Sequence, residues 1–178
     1  MLRAFAADAT ALLLLQEPAP LVRIAATLSG CWRTEAPELL ADAEWRAQLV
    51  ATVALTLGGA DAASSAALWR AVDGASWVTP QLVAAAFLVD ARFEARAEER
   101  LLAVTRRSPK MLGALVRAYH RLPQPRLPVV AQLARHDQAL ASEEARVGVR
   151  SVDVWLDRLP LLCDPATQSR WLRRPRVS

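Results

Sequence analysis

Prolines open one helix-like run after another along this chain: Pro20, Pro37, Pro80, Pro109, Pro128 and Pro165 each precede one. A proline suits the first turn of a helix, because the N–H it lacks would be unpaired there anyway. Thr79, Ser108 and Asp164 stand just before three of these prolines, as N-caps do, and Ser142 followed by Glu143 and Glu144 marks a further start. Gly58, Gly59 and Gly74 read as stops. Between these marks few runs alternate apolar with polar, and Ala, Leu, Arg and Glu favour helix. The pattern predicts one all-α domain over 1–178, with 165–178 as a basic C-terminal tail or helix.

The predicted helices are roughly 2–16, 20–32, 37–57 (broken near Asp42), 60–73, 80–90, 92–105, 109–122, 128–140, 143–159 and 165–173. Short connections imply antiparallel hairpins, with LPQPRLP at 122–128 as a stiff link. LVATVALTL at 49–57 and LVAAAFLV at 82–89 have no wide polar face and belong at the centre. The 92–105 run puts Phe93, Ala97, Leu101 and Val104 on one stripe, as an outer helix does. In 109–122, Met111, Leu115, Ala118 and Leu122 point inward, flanked by Leu112 and Tyr119.

TPQLVAAAFLVDARF from Thr79 and SPKMLGALVRAYHRL from Ser108 open alike, and their spacing of 29 residues aligns Phe93 with Leu122 and Leu101 with Val130. This is hairpin geometry rather than a family signature, because the period is short for a HEAT repeat and the second copy inserts prolines. The expected architecture is stacked antiparallel helical hairpins, a short HEAT-like α-solenoid or an irregular bundle of nine to ten helices.

Chemistry is sparse. His120 and His136 lack partners at metal-ligand spacing, and Asp137 beside His136 points about 100° away on a helix. No phosphate-binding glycine loop, nucleophile elbow or metalloprotease signature occurs. Glu94 and Glu98 share a face, where their Arg neighbours favour salt bridging. Cys31 and Cys163 allow one disulfide between them, with two free thiols of a reducing cytosol the preferred reading, and Cys31 follows Gly30 at a helix end, where the dipole disfavours a thiolate. ALLLL at 11–15 is far too short to span a membrane, and Asp8 breaks the apolar run a signal peptide needs. The expectation is a cytoplasmic, noncatalytic chain with no cofactor and no metal.

Charge is the strongest functional clue. Residues 1–99 carry a net −5, residues 100–136 a net +8 with no acid, 137–164 a net −3, and 165–178 a net +4 with no acid. Arg106, Arg107, Lys110, Arg117, Arg121 and Arg126 surround the second copy of the paired stretch, with Tyr119 and His120 among them. Lys110 is the only lysine, and the preference for Arg otherwise fits a GC-rich genome. Lys110, Arg117 and Arg121 fall along one helix face. The tail SRWLRRPRVS adds Trp171, Arg173 and Arg174, residue types enriched at binding hot spots. The other tryptophans, Trp69 and Trp77 around AVDGAS above all, are expected to bury area and staple helix ends.

Three readings compete for the basic segment: bases pairing with acids of the same molecule, an acidic protein partner, or nucleic-acid phosphates. The expected function is a protein–protein interaction module, an adaptor or scaffold subunit of a larger assembly. The alternative is a helical-repeat nucleic-acid-binding protein, such as a DNA-repair-type enzyme, gripping phosphates through 100–136. A third class, a small-molecule-binding bundle, requires a deep apolar pocket lined by Trp69, Trp77 or Phe87.

Overall fold

The computed structural model describes residues 32–74, 76–103, 108–123 and 137–162. Within them the chain is all-helical: α1 (Trp32–Ala41), α2 (Trp45–Gly58), α3 (Ala62–Asp73), α4 (Thr79–Val89), α5 (Phe93–Leu102), α6 (Pro109–His120), α7 (Asp137–Leu140) and α8 (Glu143–Leu162). The expected helices 2–16, 20–32 and 165–173 lie outside the described residues, apart from Trp32, which begins α1; of 128–140 only α7 lies inside.

The run 37–57 does break at Asp42, but its first half begins at Trp32, so Pro37 sits within α1 rather than opening it. Proline's fixed φ is helical, but past the first turn it removes one backbone hydrogen bond and its ring crowds the carbonyl four residues back, so α1 carries Pro37 at a cost rather than ending there. Asp42 and Glu44 make the break by offering the backbone an alternative to helix. The Glu44 N–H donates to Asp42 Oδ1 (3.0 Å), and Glu44 caps α2 by accepting from the Arg46 N–H (3.4 Å). α2 ends at Gly58, and Gly59 turns the chain at φ 82°, a left-handed conformation that glycine adopts without strain.

Ser108 and Ser142 act as the N-caps expected of them, accepting from the Met111 and Ala145 N–H groups, both at 3.2 Å. Thr79 does not: Val78 holds the N-cap position of α4 without a side-chain cap, and Thr79 Oγ1 instead donates to the Ser76 carbonyl (2.7 Å).

The two all-apolar stretches lie at the centre, as expected. Residues 47–55 of α2 and 79–86 of α4 are buried. α4 packs against α2, α3, α6 and α8, while α8 lies along α6 and also reaches α4 and α2. Phe93, Ala97 and Leu101 of α5 face inward, with the Phe93 ring against Trp69 (5.7 Å) and Phe87 (5.2 Å). The α6–α8 contact is backbone-close. A Cβ at Gly148 would run into the Lys110 carbonyl oxygen, and one at Gly113 into the Ala145 carbonyl oxygen.

Candidate functional site

Helix α6 presents Lys110 and Arg117 away from the core, and Arg121, its C-cap, continues the same face. The neighbour they meet was not legible in the acid-free segment itself. α8 brings Asp153 and Asp157 alongside: Arg117 Nε and an Arg121 terminal nitrogen both donate to Asp153 Oδ1 at 2.7 Å, and Arg121 reaches Asp157 at 3.1 Å. Burial would raise the Asp153 carboxyl, but hydrogen bonds from Arg117 and Arg121 outweigh it and hold it below its usual range. The hydrogen bond that Arg121 donates to Asp153 in turn raises the Arg121 pKa. These two arginines are therefore engaged within the molecule.

Tyr119 is fully buried, its hydroxyl donating to Glu98 Oε1 (2.8 Å), so it belongs to the core and not to the surface it flanks in sequence. His120 is exposed at the end of α6. Arg106, Arg107, Arg126, Trp171, Arg173 and Arg174 lie outside the described residues.

Lys110 stands apart from the Asp153 cluster. Its Nζ donates to the Trp77 carbonyl (2.6 Å) and sits 4.7 Å from the centre of the Trp77 ring. Burial lowers its pKa, and the nearby Glu144 carboxylate partly opposes that shift. Trp77 itself is 76% exposed, against the expectation that it staples a helix end. The buried slot in this turn goes to Val78, which has no exposed surface, and the indole is left in water.

The loop that carries Trp77 is held from three sides. Gln48, in the buried start of α2, donates from Nε2 to the carbonyls of Asp42 (2.8 Å) and Leu40 (3.3 Å) and accepts from the Ser76 hydroxyl. Ser76 Oγ in turn accepts from the Val78 N–H (3.3 Å). Thr79 and Lys110 complete the clamp through the bonds given above. Beside this loop lies an open cleft of about 450 Å³, with Pro37, Leu40, Ala67, Ala71, Arg70 and Ser76 in its lining.

Trp69, by contrast, is the staple the sequence predicts. Its Nε1 donates to the buried Asp90 (2.6 Å), and Arg100, paired to Asp73 at 2.6 Å, lies 4.2 Å over its ring. Asp90 also meets Arg96 (3.3 Å), so this carboxylate is fully occupied. Trp69 lines a groove of about 220 Å³ between α3 and α5. Among the described residues there is no grouping of three or more His, Cys, Asp or Glu that could hold a metal, and no helix is long and apolar enough to cross a membrane. The described residues thus define an all-helical unit with a water-exposed tryptophan, Trp77, beside a half-buried lysine. Comparison with protein-family models, curated proteins and solved structures finds no match for the chain.

Proposed function

We propose that the chain is a noncatalytic protein–protein interaction module, a cytoplasmic adaptor or scaffold subunit that docks an acidic partner. The single observation behind this reading is Trp77, exposed in water on a loop clamped by Gln48, Thr79 and Lys110. A tryptophan on a clamped loop has already lost part of the backbone freedom that binding would otherwise remove. Tryptophan dominates interface energetics. Lys110 beside it, with Arg106 and Arg107 a few residues upstream, supplies the positive charge that steers an acidic protein.

Helix order fits a scaffold. α2, α4 and α6 lie in succession, with α1, α3 and α5 packed on them, and this packing supports a reading as stacked hairpins of a short HEAT-like solenoid. α8 departs from that order by closing onto α4 and α2. The rival phosphate-binding reading needs about six convergent bases. Arg100, Arg117 and Arg121 of that segment are already engaged by Asp73, Asp153 and Asp157.

The test is cross-linking and affinity capture from cells that make the chain natively, comparing the wild type with Trp77→Ala. An acidic protein should be enriched, and depleted about tenfold or more by the substitution, a change of about 1.4 kcal/mol. A strictly monomeric, partnerless chain at low salt, or identical capture by both forms, overturns the proposal.

A further inference from the structure

We infer that the cleft between the α1–α2 turn and the C-terminal end of α3, with Trp77 and Lys110 beside it, is a docking groove for a partner segment bearing a small apolar anchor next to carboxylates. This rests on the interaction-module reading and adds the chemistry of the bound segment. The cleft is of a size that takes a side chain or two, and its floor is built from small or aliphatic groups: Leu40, Ala67 and Ala71 are 2%, 4% and 8% exposed. Alanines at two of these positions leave room that larger side chains would fill, and the Gln48 bonds to Leu40, Asp42 and Ser76 keep the walls apart.

Charge complementarity selects the occupant. Arg70 lines the cleft, is exposed, and makes no ion pair among the described residues, whereas Arg100, which also packs against Trp69, is paired to Asp73. A guanidinium beside an apolar floor matches a carboxylate next to an aliphatic side chain. The surface then continues through Gly74 and Ser76, which line the cleft, to Trp77 and on to Lys110. That spread over residues of four helices and a loop suits a chain segment rather than a compact molecule. Asp42 also lines the cleft and already accepts the Glu44 N–H, so the segment's carboxylates belong toward Arg70 and Lys110 and not along its whole length.

The experiment is fluorescence anisotropy of the full chain at low salt with four fluorescein-labelled probes. These are a peptide with two leucines flanked by glutamates, its lysine-for-glutamate and serine-for-leucine counterparts, and a single-stranded oligonucleotide. The leucine–glutamate peptide should bind most tightly. Its affinity should fall about tenfold in Arg70→Glu, which alters an exposed helix end, and in Ala71→Leu, which fills the cleft. Absent binding, equal binding of the serine peptide, an affinity unchanged in Arg70→Glu, or preference for the oligonucleotide overturns the groove. If a natural partner is lost with Trp77→Ala yet retained by Arg70→Glu and Ala71→Leu, the groove falls while the interaction module stands.

Discussion

Replacing Gly148 by alanine sets two well-known effects against each other. On an exposed helix the change stabilises by about 1 kcal/mol, because glycine is the poorer helix former. Here the new methyl group would meet the Lys110 carbonyl, with its oxygen well inside contact, its carbon at 3.1 Å and the Ala114 nitrogen at 3.2 Å. All three are backbone atoms of α6, so no side chain can swing aside. Restoring an ordinary C···O separation of about 3.3 Å means parting α6 and α8 by roughly 1 Å. That strain loosens the buried Leu115, Val152 and Trp155 on these helices. Overpacking of this kind costs about 1–3 kcal/mol, and a backbone obstacle places it in the upper half of that range. The net expectation is a loss of about 1–2 kcal/mol, the clash outweighing the propensity gain. In urea denaturation followed by far-UV circular dichroism, this lowers the midpoint by about 0.5–1 M at an unchanged slope. A midpoint unchanged or raised would falsify the reasoning. Gly113→Ala, whose methyl would meet the Ala145 carbonyl, should behave alike, and the double variant should lose less than the sum because one separation serves both.

Gln48→Ala leaves the Leu40 and Asp42 carbonyls and the Ser76 hydroxyl without this partner, so thermal stability should fall by about 1–3 kcal/mol, with faster hydrogen exchange in the Val78 amide. Trp69→Phe removes the indole donor from buried Asp90 and should cost about 1.5–3 kcal/mol by chemical denaturation, whereas Trp77→Ala should stay within about 0.5 kcal/mol of wild type. Asp153 is held below its ordinary pKa, so its contribution is complete above the unfolded-chain value and is lost as pH falls through the lower folded value. The stability gap between wild type and Asp153→Asn, about 1 kcal/mol near neutrality, should therefore close below about pH 4 in pH-resolved melts.

Local chemistry made much of the fold legible. Ser108 and Ser142 cap where a hydroxyl before a helix must, and the stretches at 49–57 and 82–89 lack any face that water could wet, so they occupy the centre. What failed depends on partners distant in sequence. Pro37 is permitted at a helix start but not confined to one, and Thr79 gave up its cap because Ser76 lay in reach. The basic helix was legible as a face, yet only the packing of α8 shows that Asp153 and Asp157 answer Arg117 and Arg121. Trp77 was misjudged because composition ranks tryptophan as a core residue, while a one-residue shift in the turn gave the core to Val78. The need for glycine at 113 and 148 arises between two helices far apart in the chain, and no local pattern announces it.

The position of the chain's one lysine has a practical consequence. Amine-reactive dyes and cross-linkers usually scatter over a protein's surface, but here Lys110 offers the only side-chain target, and its Nζ lies 4.7 Å from the centre of an indole ring. A fluorophore coupled there would be quenched by Trp77 at rest and brighten when a bound molecule covers or displaces the ring. The chain thus carries its own reporter position, placed by sequence economy on the surface where binding is to be sought.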